Sequence, residues 1–170
     1  SYVINMSLGT YSNSKALRQA LERAYRNVVI VAAAGNDAAP IMKKCNPDAP
    51  ICGPVYPAAY SFVIGVQATT NDGSLASFSN YDCDGPIYSE VNDTYGDERC
   101  NYEMSAPGVN VLSTVPNGGY KQFNGTSMAA PVVAGAISAL QMVKDYTTQE
   151  ELWGDLLHTG DFLAAYNQTS

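Results

Sequence analysis

The stretch Asn124-Gly125-Thr126-Ser127-Met128-Ala129-Ala130-Pro131 runs directly into Val132-Val133-Ala134-Gly135-Ala136-Ile137-Ser138-Ala139-Leu140, and it constrains the fold more than any other. A Gly turn feeds a helix whose first turn carries one hydroxyl nucleophile candidate, Ser127. Thr126 or Ser127 suits the N-cap, because either hydroxyl can accept from an unpaired N–H of the first turn. Ala129, Ala130, Ala134, Gly135, Ala136 and Ala139 carry almost no side-chain bulk. Such a helix can run close to other backbone on most sides and is expected to be buried. Pro131 starts or bends the regular helix about one turn in. A Ser at the positive end of a buried helix suits acyl chemistry, because the dipole favours developing negative charge. The plainer reading is that Ser127 only caps the helix.

The chain before this helix reads as strands and one amphipathic helix. Tyr2 to Met6 is a short apolar run, expected to be a buried strand ending at Ser7-Leu8-Gly9. Ser12, Asn13 or Ser14 then caps a helix with Leu17, Ala20, Leu21 and Ala24 on one face. Val28 to Val31 is continuously β-branched, as in a strand buried on both faces. Strand, helix and strand with short joints make a βαβ unit with parallel pairing and a right-handed crossover. The fold class is therefore α/β, a mainly parallel sheet with flanking helices.

Asp37 to Val55 is a loop holding Cys45 and Cys52, and Tyr60 to Ala68 is expected to be the third strand. Asn71-Asp72-Gly73 is a turn. Asp82 to Glu103 is a polar insertion with Cys83 and Cys100 near its ends. Asn110 to Val115 reads as a strand, with Pro116-Asn117-Gly118-Gly119 turning after it. Beyond the Ala-rich helix, Thr147-Thr148-Gln149-Glu150-Glu151 offers a capping box. A short helix then turns Leu152, Leu156 and Leu157 inward and ends near His158-Thr159-Gly160. No internal repeat or linker divides the chain.

Charge and cysteines narrow the setting. A net charge of −7 over 170 residues argues against nucleic-acid binding. No run approaches a membrane span, so no membrane partner is expected. Four cysteines allow two disulfides in three connectivities. Local closure of each loop favours Cys45–Cys52 and Cys83–Cys100. Disulfides imply an oxidising compartment, hence a secreted or extracytoplasmic protein; free cytosolic thiols are the alternative. Sequons occur at Asn92, Asn124 and Asn167, and one beside a buried nucleophile is a poor glycosylation site.

The Gly-Thr-Ser-Met-Ala-Ala-Pro run followed by Val-Ala-Gly resembles the nucleophile segment of subtilisin-like serine proteases. Ile4-Asn5-Met6-Ser7-Leu8-Gly9, Val31-Ala32-Ala33-Ala34-Gly35-Asn36, Tyr56-Pro57-Ala58, Ala76-Ser77-Phe78-Ser79-Asn80 and Ala106-Pro107-Gly108 resemble further segments, in the family's order. One departure is Val132-Val133, where the family usually has His second after the Pro; that His is not the catalytic one. The resemblance makes Ser127 the nucleophile. It makes the Asn36 amide an oxyanion donor beside the Ser127 backbone N–H, although Gly35-Asn36 alone would read as an ordinary turn. It also makes Ser7, Leu8 and Gly9 an edge that pairs with an extended peptide or protein substrate. Ala33, Ala34 and Gly35 become the opposite wall of the pocket for the side chain preceding the scissile bond. No cofactor is required. A structural calcium stays open, because family members often bind one partly through loop carbonyls near Tyr56 to Val63, and carbonyl sites leave no sequence signature.

The family's Asp-Thr-Gly and His-Gly-Thr-His segments are absent from these residues. Asp37, Asp72 and Asp82 do not match the acid's motif, and the one histidine, His158, follows Ser127. Residues 1–170 are therefore expected to be the carboxyl-terminal part of one subtilisin-like catalytic domain. The expected activity is serine endopeptidase through an acyl-enzyme on Ser127 when the full domain is present, with the isolated chain inactive. Its partner would be the N-terminal half, and the chain alone is expected to self-associate. One rival is a non-catalytic relative serving as a peptide-binding or scaffold module. Another is a self-contained esterase using Ser127 and His158, which needs those side chains in contact.

Overall fold

The computed structural model describes residues 2–39, 41, 53–81, 102–146 and 148–159. Strands β1 (Tyr2–Met6), β2 (Val28–Ala33), β3 (Ile64–Thr69) and β4 (Met104–Pro107) form one parallel sheet in that order. Registers such as Ile4 opposite Ile30 and Val66 opposite Met104 fix the pairing. Helix α1 (Lys15–Tyr25) links β1 to β2, as the strand-helix-strand pattern requires. Ser14 is its N-cap, accepting from Leu17 N–H at 3.3 Å.

Side chains alternate across a strand, and β2 uses this to serve two cores. Val29, Val31 and Ala33 join Ile64, Val66 and Ala68 of β3 beneath helix α2 (Thr126–Val143). Ile30 and Ala32, with Ala34 just beyond the strand, pack with Leu21 of α1 and with Tyr56, Tyr60 and Val63. Helix α3 (Gln149–Thr159) adds Leu152 and Leu156 to the first core. Thr148 Oγ1 accepts from Glu151 N–H at 3.1 Å at its start, and Gln149 Nε2 donates to the carbonyls of Tyr25 and Val28.

Several elements differ from the sequence reading. β1 is not buried: it is the edge of the sheet, and Tyr2 is 77% exposed because no described strand lies outside it. In α1, Ala20 is exposed. The third strand starts at Ile64, not Tyr60. Residues 55–63 turn instead, with Ala59 N–H bonded to Val55 O, Tyr60 N–H to Pro57 O and Val63 N–H to Tyr60 O. β4 is only four residues long, and no alternation marks it. Strand β5 (Val111–Val115) pairs antiparallel with β6 (Gly119–Phe123); the sequence reading put Gly119 in the turn and assigned no strand to residues 120–123. A 3-10 turn (Pro116–Gly118) joins them, with Asn117 at φ 69°.

α2 is buried on one face only. Ala129, Ala130, Val133 and Ile137 pack on the sheet, while Val132 and Met142 are exposed. By length and composition this helix is apolar enough to cross a membrane, an exception to the sequence reading. It lies against all four strands of the sheet, which is the place of a core helix. All four cysteines, Asn92 and Asn167 lie outside the described residues, as do the side chains of Leu157 and His158.

Candidate active site

Parallel strands bring their carboxyl ends to one edge, and in an open α/β sheet ligand chemistry gathers there. β1 delivers Ser7 to Gly9 to that edge, and β2 delivers Gly35 and Asn36. β4 delivers Gly108, whose carbonyl accepts from Gly125 N–H at 2.8 Å and so seats the start of α2.

The N-cap of α2 is Gly125, not Thr126 or Ser127. Its φ of 153° is a conformation that side chains resist. Thr126 is released for another task. Its N–H donates to Asn36 Oδ1 at 2.8 Å, and its hydroxyl donates to the same oxygen at 3.0 Å. Gly35 N–H donates to the Thr126 hydroxyl at 3.2 Å. A backbone N–H is only a donor, so the atom it meets on Asn36 must be the oxygen. The orientation of the Asn36 amide follows, and its Nδ2 has no protein acceptor among the described residues.

The first N–H groups of a helix lack intrahelical partners. In α2, Thr126 N–H is taken by Asn36, while Met128 and Ala129 N–H bond to the Gly125 carbonyl at 3.0 and 3.4 Å. Ser127 N–H has no protein acceptor among the described residues. Its hydroxyl lies 3.4 Å from the Ser7 carbonyl, a weak contact that leaves the oxygen available.

A cavity of about 260 Å³ opens here, lined by Leu8, Gly9, Ala33, Gly35, Asn36 and Ser127 among others. Ser127 and Asn36 therefore share one side of the sheet, as the sequence reading expects. One expected wall residue does not reach the cavity. Ala34 is fully buried in the second core, facing away by the strand alternation. Ser7 turns its hydroxyl to the Ser127 carbonyl at 2.8 Å. Leu8 and Gly9 line the cavity, and Leu8 is 57% exposed.

Sequence reasoning missed the participation of Thr126, Tyr11, Asp37 and Val55, which also line the cavity. Only Thr126 gave a signal, as a second hydroxyl beside the nucleophile. Tyr11 and Asp37 are 26 residues apart and meet across the cavity, with the Tyr11 hydroxyl donating to Asp37 Oδ2 at 2.8 Å. Burial pushes the Tyr11 hydroxyl above its ordinary pKa of 10.0; the bond from Asn80 opposes this, and the Asp37 carboxylate adds to it.

In the segment considered for calcium, the carbonyls of Val55, Tyr56, Pro57 and Tyr60 each accept a backbone N–H. Among the described residues, no group of three His, Cys, Asp or Glu side chains stands together as metal ligands.

The subtilase family model matches residues 1–168. The chain is 40% identical over 151 residues to minor extracellular protease Epr of Bacillus subtilis, covering 88% of this chain and 19% of that protein. It is 41% identical over 139 residues to subtilisin DY of Bacillus licheniformis, covering 81% and 42%. Subtilisin BL of Lederbergia lenta is 34% identical over 167 residues, covering 98% and 51%. A solved structure of a cold adapted subtilisin-like serine proteinase superposes with a TM-score of 0.67 at 32% identity, covering 89% of this chain and 45% of that one. The chain thus spans about half the length, or less, of the relatives it matches. With a parallel sheet packed under a core helix and a family match along nearly its whole length, the chain belongs to the subtilases, a family of serine proteases.

Proposed function

We propose that this chain supplies the nucleophile, the oxyanion donors and one side of the substrate cleft of a secreted serine endopeptidase. The observation that carries the proposal is a pair of donors, Asn36 Nδ2 and Ser127 N–H, that have no protein acceptor among the described residues and sit on two residues lining one cavity. Donors fixed before reaction stabilise a developing oxyanion without reorganising. In this reading Ser127 Oγ attacks a peptide carbonyl, and its proton passes to a histidine base that an aspartate orients. The carbonyl oxygen becomes the oxyanion between the two N–H donors. Collapse expels the amine, which takes the proton back from the histidine, and leaves an acyl group on Ser127 that water then removes.

The base and its orienting acid belong to a preceding part of the domain, consistent with relatives about twice this length. An extended substrate would lie along residues 7–9, with the preceding side chain between Gly9 on one wall and Ala33 and Gly35 on the other. Secretion is supported by the relative named as an extracellular protease. The exposed edge of β1 is a template for pairing, so the chain without the preceding half should self-associate.

The test is labelling with an active-site serine phosphonate. The complete domain should label at Ser127, and the isolated chain should not until the preceding half is added. Light scattering should show the isolated chain as more than a monomer. Strong labelling of the chain alone, abolished by His158→Ala, would replace this reading with a self-contained hydrolase.

A further inference from the structure

Asn36 sits at the surface, on a turn that has little reason to hold its shape. Gly35 has φ 107° and Ala38 φ 50°, and Ala38 has no glycine freedom to excuse it. One side chain from elsewhere in the chain grips this turn on both sides of Asn36. Asn80 has no exposed surface. Its Oδ1 accepts from Asp37 N–H at 2.9 Å and from Ala39 N–H at 3.0 Å. Its Nδ2 donates to the Ala34 carbonyl at 3.0 Å and to the Tyr11 hydroxyl at 3.1 Å. Its own backbone N–H donates to the Gly35 carbonyl at 2.9 Å.

An Asn side chain has two acceptor sites and two donor hydrogens, and here all four are used. Residues 34 and 35 are held before Asn36, and residues 37 and 39 after it. The Tyr11 hydroxyl passes the network on to Asp37 Oδ2. Few side chains can replace this one. Asp has no donors for Ala34 and Tyr11 when ionised, and Ser is too short to reach from Ala34 to Ala39. Gly35 is fitted to the same contact, because a Cβ there would collide with Asn80 Nδ2.

We infer that Asn80 is a positioning residue for the oxyanion donor: it holds the backbone of Asn36 while Thr126 holds its amide. The inference rests on the oxyanion role of Asn36 proposed above. Asn80 touches no substrate. It acts by fixing where Asn36 Nδ2 lies when charge develops on the reacting oxygen, and misplacement of that order costs rate.

The experiment is a double-mutant cycle in the complete domain, measuring kcat and KM for Asn80→Ala, Asn36→Ala and the pair. Asn80→Ala should lower kcat by about 10- to 100-fold, with KM changed by no more than about twofold. In the Asn36→Ala background it should cost almost nothing further in kcat, because the group it positions is gone. A purely structural residue would lower both backgrounds equally, or would act through the amount of folded enzyme, and either result overturns the inference. Asn80→Asp provides a near-isosteric second variant. It keeps both acceptor bonds and loses both donor bonds, so its kcat should fall between wild type and Asn80→Ala. If Asn80→Ala does not fold, the same cycle on Asn80→Asp decides the question. If Asn36→Ala alone leaves kcat unchanged, the oxyanion assignment itself fails and this inference falls with it. A loss for Asn36→Ala with additive Asn80 effects sinks only the positioning role.

Discussion

The Ser7 hydroxyl donates to the Ser127 carbonyl at 2.8 Å, and the cause lies four residues along α2. In a regular helix that carbonyl would accept from the N–H of residue 131. Residue 131 is Pro, inside the helix, and has no N–H to give. Ser7, just past β1, takes its place and so ties the end of the edge strand to the backbone of Ser127. Asn5 Nδ2 donates to the Ser7 hydroxyl at 3.1 Å and orients it.

Ser7→Ala in the complete domain should therefore cost stability of about 0.5–1.5 kcal/mol, the net worth of one hydrogen bond, read by denaturant unfolding. With Pro131→Ala in place, a helical N–H can serve the carbonyl and the cost of Ser7→Ala should shrink. Equal costs in both backgrounds would show that the Ser7 bond does not stand in for the N–H that Pro131 lacks.

Asn36→Ala should lower kcat by about 10²–10³, a range taken over from loss of the equivalent type of donor in a subtilisin. Thr126→Val should lower kcat less, since Asn36 keeps the backbone N–H bond and loses only the hydroxyl. It should also cost stability of about 1–3 kcal/mol, because the Gly35 N–H then loses its acceptor. Thr126→Ser, which retains the hydroxyl, should restore most of both. A Thr126→Ser enzyme as slow as Thr126→Val would shift the cause from hydrogen bonding to packing.

The Tyr11 hydroxyl has a pKa raised from 10.0 by burial first, with the Asp37 carboxylate adding to it. The native state thus favours the protonated form. Its contribution is fully present below the unfolded value of about 10 and is lost as pH rises through the higher folded value. The stability difference between wild type and Tyr11→Phe should be flat from about pH 6 to 9 and narrow above about pH 10. A difference that grows with pH in that window would contradict the sign.

Mass spectrometry of unreduced peptides should find Cys45–Cys52 and Cys83–Cys100, each closing its own loop. Free thiols, or a link from Cys45 to Cys83 or Cys100, would count against local closure and weaken the case for secretion.

The sequence by itself determined the elements whose signal is local. β2 is legible because Val28 to Val31 are all β-branched and apolar, and the start of α1 is legible to within Ser12, Asn13 or Ser14, of which the structure uses Ser14. Helix α2 is legible because Gly, Ser and small residues fall together, and the family is legible from motifs in order. Tertiary structure decided what depends on residues far apart in the chain. Thr126 looks like a cap in the sequence, and only the arrival of Asn36 90 positions away makes its hydroxyl a brace instead. Ala34 looks like a pocket wall beside Ala33, yet the sheet's two-residue alternation sends it into the other core. β1 looks buried because it is apolar, but burial requires a neighbour, and no described strand covers its outer edge. Asn80 closes one of the segments that resemble the family, but nothing local to it shows what its side chain does. Its role comes from four hydrogen bonds to residues 34, 37, 39 and 11, and distances of that kind exist only after the chain has folded.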